Sequence, residues 1–199
     1  MVRKTKEEAE NTKREIMKAA LDVFSQKGYS RTTFEDIAAR INLTKGAVYW
    51  HFKNKPDLLM ELLREHFDKR FQNEPVVNTF NDLRSAMVAE AERIQNDIEE
   101  RKFLFFAMFQ MEWSEAMMNK LHETIQGVRD FPLQRIKKAL TNIKNNGELA
   151  DDIDVDEVAL LVLHVWKGAL SDGIVKGNNC NFAHIVGRSI DLVVSGIKK

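Results

Sequence analysis

One cysteine in 199 residues, Cys180, excludes a disulfide framework. Three prolines and nine glycines are too few for a collagenous or low-complexity chain, and they leave long stretches free to run as helix. The longest apolar runs, FLFFAMF (103–109) and VALLVLHVW (158–166), fall short of the roughly 18 residues that span a bilayer. No segment combines a basic start, an apolar run and a small-residue cleavage site, so the expectation is a cytoplasmic protein with no membrane partner. Also missing are a Gly-rich phosphate loop, a Gly-x-Ser-x-Gly elbow and paired acids with a reason to titrate apart, which makes an enzyme improbable and a cofactor unnecessary.

What is present suits one or two helical domains: 44% of the residues are hydrophobic, enough to build a core. The formal charge is zero, yet it divides unevenly. Residues 1–55 hold 12 Lys and Arg against 7 Asp and Glu, whereas the remainder holds 18 against 23. A basic end on an otherwise acidic chain points to nucleic acid or another anionic surface.

The pattern reads as helix after helix. Thr5 and Glu8 form a capping box ahead of Ile16, Ala20, Val23 and Phe24, and Lys27-Gly28 ends that helix. Thr32 and Glu35 form a second box before Phe34, Ile37, Ala38 and Ile41. Asn42 can adopt the left-handed conformation that breaks a helix, Leu43 fills the corner, and Thr44 caps a third helix ending near Phe52. Asn54, with Pro56 in the next first turn, caps a fourth. Two short helices over a turn of about three residues make a helix-turn-helix.

That arrangement sorts the stretch TKGAVYWHFKNK (44–55) by face. Val48 and Phe52 point inward, Lys45 and Tyr49 outward, and the small Gly46 and Ala47 let the backbone approach base edges. Tyr49, Trp50 and His51 supply hydrogen-bond donors, and Lys55 adds charge beside the free N–H groups of the following helix. The competing reading is purely structural, with Tyr49 and Trp50 packing a corner and His51 on the surface.

The stretch TTFEDIAARINLTKGAVYWHFKNKPDLL, with the preceding IMKAALDVFSQKGYS, resembles the N-terminal domain of the TetR family of transcriptional regulators. The opening residues and the pairing of Lys-Gly with Tyr-Trp-His-Phe are most similar to AcrR-type repressors of multidrug efflux genes. The likeness covers about residues 10–70. It implies an all-α fold, a helix-turn-helix domain over 1–55 and a larger ligand-binding and dimerisation domain over 56–199. It further implies that Thr33 lies on phosphate at the start of the positioning helix, and that Thr44, Lys45, Gly46, Ala47, Tyr49, Trp50 and His51 line the recognition helix. Lys55 would meet backbone phosphate. The partners would be an inverted-repeat duplex, a second copy of the chain and a small-molecule effector. Two departures stand out: Asn42 replaces the usual Gly, and Lys45 the frequent Arg.

Beyond residue 55, PDLLMELLREHFDKRF continues as an amphipathic helix to the linker candidate Asn73-Glu74-Pro75. RKFLFFAMFQMEWSEAMMNKL reads as a buried helix with Phe106, Gln110, Trp113 and Met117 on one stripe and Phe109 and Glu112 beside it. These residues either fill a core or, as the resemblance implies, line a pocket for a flat, apolar or cationic compound. The last two helices carry Leu161, Val165, Gly168, Ala169, Gly187, Ile190 and Val194, and the resemblance implies that they pair with their copies in a four-helix bundle. Cys180 and His184 stand at i, i+4 with His164 upstream, which leaves a metal-sensing regulator as the alternative.

Overall fold

The computed structural model describes residues 6–71, 75–111, 114–115, 117–119, 131–177 and 180–198. Thr5, Asn73 and Glu74, and with them the first capping box and most of the linker candidate, lie outside the described residues. Those described contain only helices as named elements: α1 (Lys6–Lys27), α2 (Phe34–Arg40), α3 (Lys45–His51), α4 (Lys55–Phe71), α5 (Phe80–Asn96), α6 (Ile98–Phe105), a π-helical turn (Phe106–Gln110), α7 (Phe131–Asn145), α8 (Val155–Lys176) and α9 (Phe182–Ile197). An isolated antiparallel bridge joins Leu149 to Lys198.

The chain divides into two compact units: Met1–Gln72 with Lys102–Ile125, and Asn73–Arg101 with Gln126–Lys199. This differs from a cut at residue 55. α4 buries Leu58, Leu59 and Leu63 completely, and residues 102–110 pack back on α1, so both stay with the N-terminal unit.

Within that unit, α1 ends where Gly28 turns left-handed at φ 80° and its N–H closes on the Phe24 carbonyl at 2.9 Å. The cap of α2 falls one residue later than the Thr32–Glu35 box expected from sequence. Thr33 accepts from the Asp36 N–H at 3.2 Å, and Asp36 accepts from the Thr33 N–H at 2.9 Å. The register shifts because Thr32 is buried and its hydroxyl donates to the Gly28 carbonyl at 2.8 Å instead. Asn42 takes φ 54°, Thr44 caps α3 through the Ala47 N–H at 3.2 Å, and Asn54 caps α4 through the Asp57 N–H at 2.8 Å, all as expected.

The second unit has its own core. Phe80 and Leu83 of α5, Ile136, Leu140 and Ile143 of α7, Val158, Ala159 and Val162 of α8 and Ile190 of α9 pack together with Leu149. Each large apolar side chain so buried contributes about 1.5–3 kcal/mol. Asp97 separates α5 from α6: it ends α5 in an extended conformation and accepts from the Glu100 N–H of α6 at 3.0 Å. By length and composition α8 could cross a membrane, with a mean hydropathy of 1.5 over its most apolar window, but here it packs against α7 and α9.

The α2 cap also reports on pH. Lys27, and then the Thr33 N–H and hydroxyl, lower the Asp36 carboxyl from its ordinary 3.8 to about 2. A carboxyl depressed in the folded state stabilises it fully above the ordinary value, and the contribution is lost as pH falls through about 2. The melting temperature of the parent should therefore drop more steeply between about pH 4 and pH 2 than that of Asp36→Asn. Parallel curves by circular dichroism would mean that the carboxylate contact does not form.

Candidate nucleic-acid interface

The two short helices leave one face of α3 bare because the other is fully committed. Val48 and the cap residue Phe52 are buried, while Tyr49 is 51% and Trp50 72% exposed. Tyr49 is braced at its base, its ring meeting Phe34 of α2 edge-on at 4.9 Å, and Trp50 meets His51 edge-on at 4.5 Å. A Cβ added at Gly46 would meet nothing nearer than the Thr44 hydroxyl at 3.8 Å, so the surface there is open and shallow. Ala47 is half-buried.

Lys45 points outward as expected, but it is not alone. Its ammonium pairs with Glu35 of α2 and lies 5.6 Å from the centre of the Tyr49 ring. The pairing lowers the Glu35 carboxyl and raises the Lys45 ammonium from their ordinary values. Sequence reading missed Glu35 as a neighbour of Lys45, since the contact exists only once the turn at Asn42 folds α2 over α3.

Thr33 and Lys55 carry internal duties. The Thr33 hydroxyl donates to Asp36 Oδ2 at 2.8 Å. Lys55 Nζ donates to the carbonyls of Tyr29 at 2.7 Å, Ser30 at 3.0 Å and Thr32 at 3.0 Å, and sits 4.5 Å from the Tyr29 ring centre. Burial lowers its pKa. All three ammonium protons are therefore directed at the segment joining α1 to α2, so Lys55 fastens that segment here, and a phosphate contact would have to exchange for these bonds. A lysine in a basic stretch signals phosphate readily; its carbonyl partners more than 20 residues away leave no local trace.

The expected effector stripe does not form as one face. α6 gives way at Phe106 to a π-helical turn, and Met111 is extended, so the angular register of a continuous α-helix is lost. Phe106 is completely buried, its ring stacked on Phe24 at 5.4 Å, and the Gln110 amide donates to the Ser25 carbonyl at 2.8 Å. Both are thus committed to α1. Phe109 turns the other way, 46% exposed and 5.5 Å from Phe105. Met117 is half-buried, and Glu112 and Trp113 lie outside the described residues.

The proposed dimer residues also separate. Leu161 and Gly168 are exposed and Val165 is half-buried. Ile190 and Ala169 are buried within their own unit, and Val194 packs against the same core. Gly187 faces α5: a Cβ there would stand 3.1 Å from Arg84 Nη2 and 3.2 Å from Val88 Cγ2. Small residues permit close approach, and here the approach is intramolecular. The outer surface instead shows Leu160 and Leu161 on α8 and Ile185 and Leu192 on α9. For the metal alternative, Cys180 precedes α9 and is buried while His184 on α9 and His164 on α8 are exposed. Among the described residues no group of three or more metal-ligating side chains converges.

Residues 16–62 match the family model described as "Bacterial regulatory proteins, tetR family". Along most of its length the chain is similar to the probable acrEF/envCD operon repressor of Escherichia coli K12, 28% identical over 185 residues, 88% of this chain and 81% of that one. Over 62 residues, 31% of this chain and 29% of the relative, it is 50% identical to the HTH-type transcriptional regulator AcrR of Shigella flexneri. The solved SmeT–triclosan complex matches with a TM-score of 0.76 and 27% identity, covering 95% of this chain and 92% of that one.

The two roles for Lys55 separate experimentally. Removing its charge-assisted bonds in Lys55→Ala should cost about 1–3 kcal/mol, read from the urea midpoint of the N-terminal unit. A variant of unchanged stability whose DNA binding loses about 0.9 of its salt slope would restore the phosphate contact instead.

Proposed function

We propose that this chain is a TetR-family regulatory protein, a cytoplasmic, homodimeric transcriptional repressor that leaves its operator when a small apolar or cationic compound binds. The observation that carries this reading is the bare face of α3: Lys45, Tyr49 and Trp50 exposed over the buried Val48 and Phe52, within residues that match the family model. Such a face suits a major groove, where Lys45 meets base-edge acceptors and the ring donors meet phosphate. Similarity along most of the chain to an operon repressor supports repression, and similarity to SmeT, the repressor of the Stenotrophomonas maltophilia multidrug efflux pump SmeDEF, supports control of an efflux or detoxification gene.

Two copies would place two such helices about one DNA turn apart, on an inverted repeat. The exposed apolar residues of α8 and α9 favour Leu160, Leu161, Ile185 and Leu192, with Gly168 among them, as the contact. Effector release requires that the compound bind one conformation better than the other. Phe105, Met108 and Phe109 offer exposed apolar surface beside the π-helical turn, whose other side holds α1 through Phe106 and Gln110. A compound that rearranged this turn would act on α1 directly. A coupling of about 1–3 kcal/mol would loosen the operator some 5- to 150-fold.

The reading predicts that the parent selects an inverted repeat from a random pool of duplexes, with affinity that falls steeply with salt. Leu161→Glu should convert dimers to monomers in sedimentation before the N-terminal unit unfolds, and should weaken operator binding with it. A monomeric parent that binds operator fully would overturn the assembly. Hydrophobic cations titrated by Trp fluorescence should release DNA from the parent, and Phe109→Ala should blunt that release while leaving unliganded affinity nearly intact. Equal release by the variant would remove Phe109 from the effector site.

A further inference from the structure

Glu35 is an acid on a surface that should welcome phosphate. The Thr33 cap places it in the first turn of α2, its side chain 56% exposed and directed at Lys45. Lys45 is the first residue of α3, where the unpaired N–H groups repel a cation and the helix dipole disfavours it. A carboxylate at that point is doubly favoured, since it lies at the N-terminus of its own helix and balances a lysine at the N-terminus of the next. The Tyr49 ring, itself braced on Phe34, receives the same ammonium from the other side. Lys45 is thereby held between two groups instead of sweeping through solvent.

We infer that Glu35 is a specificity-determining residue that positions Lys45 for base edges and withholds it from phosphate. The inference rests on α3 being the recognition helix. On the operator, the seated helix keeps the Glu35–Lys45 pair and presents an already ordered ammonium to an acceptor such as guanine O6 or N7, which reduces the entropy lost on binding. On an arbitrary duplex binding is carried by the backbone and the helix is not seated in the groove, so no base acceptor is held within reach of the ammonium. Lys45 gains a phosphate only by leaving Glu35, whose carboxylate then faces the backbone charge. Glu35 therefore lowers non-specific binding more than specific binding, the repulsive element that discrimination between similar partners requires.

The test compares the parent, Glu35→Gln, Lys45→Ala and the double variant on the duplex selected by the parent and on a random duplex, across a salt series. Glu35→Gln should bind the random duplex roughly two- to fivefold more tightly, the range of an exposed ion pair, with a salt slope steeper by about 0.9. Its operator affinity should hold or fall, so the specificity ratio drops. In the Lys45→Ala background most of the gain on random DNA should vanish. Glu35 is exposed, so a matching circular dichroism melt verifies the fold of each variant. No gain on random duplex, an equal gain on operator, or a gain undiminished without Lys45 would each overturn the inference. A parent with no preference for any duplex would instead overturn the recognition-helix reading on which it rests.

Discussion

The last turn of α1 and the segment that joins it to α2 expose carbonyl groups that no helix ladder satisfies, and the N-terminal unit is organised around how they are met. Gly28 turns the chain away so that its own N–H reaches Phe24. Gln110 donates to Ser25, the Thr32 hydroxyl donates to Gly28, and Lys55 reaches across from α4 to the carbonyls of Tyr29, Ser30 and Thr32. Around this polar knot lie Phe24, stacked on Phe106, and Asp22, paired with Lys102 at 2.9 Å and with Arg40 at 3.4 Å. The positioning helix, the start of α4 and the turn after α6 are therefore fixed to one point. A shift of that point would carry the exposed face of α3 with it.

The surface proposed to read DNA is not uniformly basic. The excess of positive charge in residues 1–55 is only five, and several of its members are already paired: Lys27 with Asp36, Lys45 with Glu35, Lys13 with Glu61, Lys55 with carbonyls. Exposed pairs of this kind add little to stability, typically less than about 1 kcal/mol each. Their consequence is orientation. They hold long side chains in single arrangements, so the charge available to DNA is set by geometry more than by count.

Much of the N-terminal architecture was legible because its signals are local. Asn42, Thr44, Asn54 and Gly28 each stop or start a helix through bonds to residues at most four positions away. The Thr32–Thr33 doublet shows where local reading loses register: Thr32 with Glu35 and Thr33 with Asp36 present the same spacing, and only the burial of Thr32 decides between them. Distant contacts were not legible at all. Nothing near Lys55 announces Tyr29, and nothing near Gly187 announces Arg84, 103 positions earlier by residue number but only 3.1 Å from where its Cβ would be. Periodicity also carried too far at Phe106, because a stripe drawn at α-helical spacing assumes a ladder that here becomes π-helical and stops at Met111.

That irregular turn is the place where the N-terminal unit is least completely satisfied. Gln110 bonds through its amide nitrogen alone; its Oε1 and the Ser25 hydroxyl beside it are buried with no hydrogen-bond partner among the described residues. Each buried polar atom left so costs about 1–3 kcal/mol relative to a satisfied one. A π-helical turn likewise gives up the better geometry of the α-helix around it. An arrangement that restored α-helical bonds, or offered these two oxygens partners, would recover part of that cost while withdrawing Gln110 from Ser25. The polar contact of the turn with α1 is thus its weaker one, whereas the fully buried Phe24–Phe106 stack resists displacement. An effector acting through this turn would therefore meet less resistance at the single Gln110–Ser25 bond than at the ring stack.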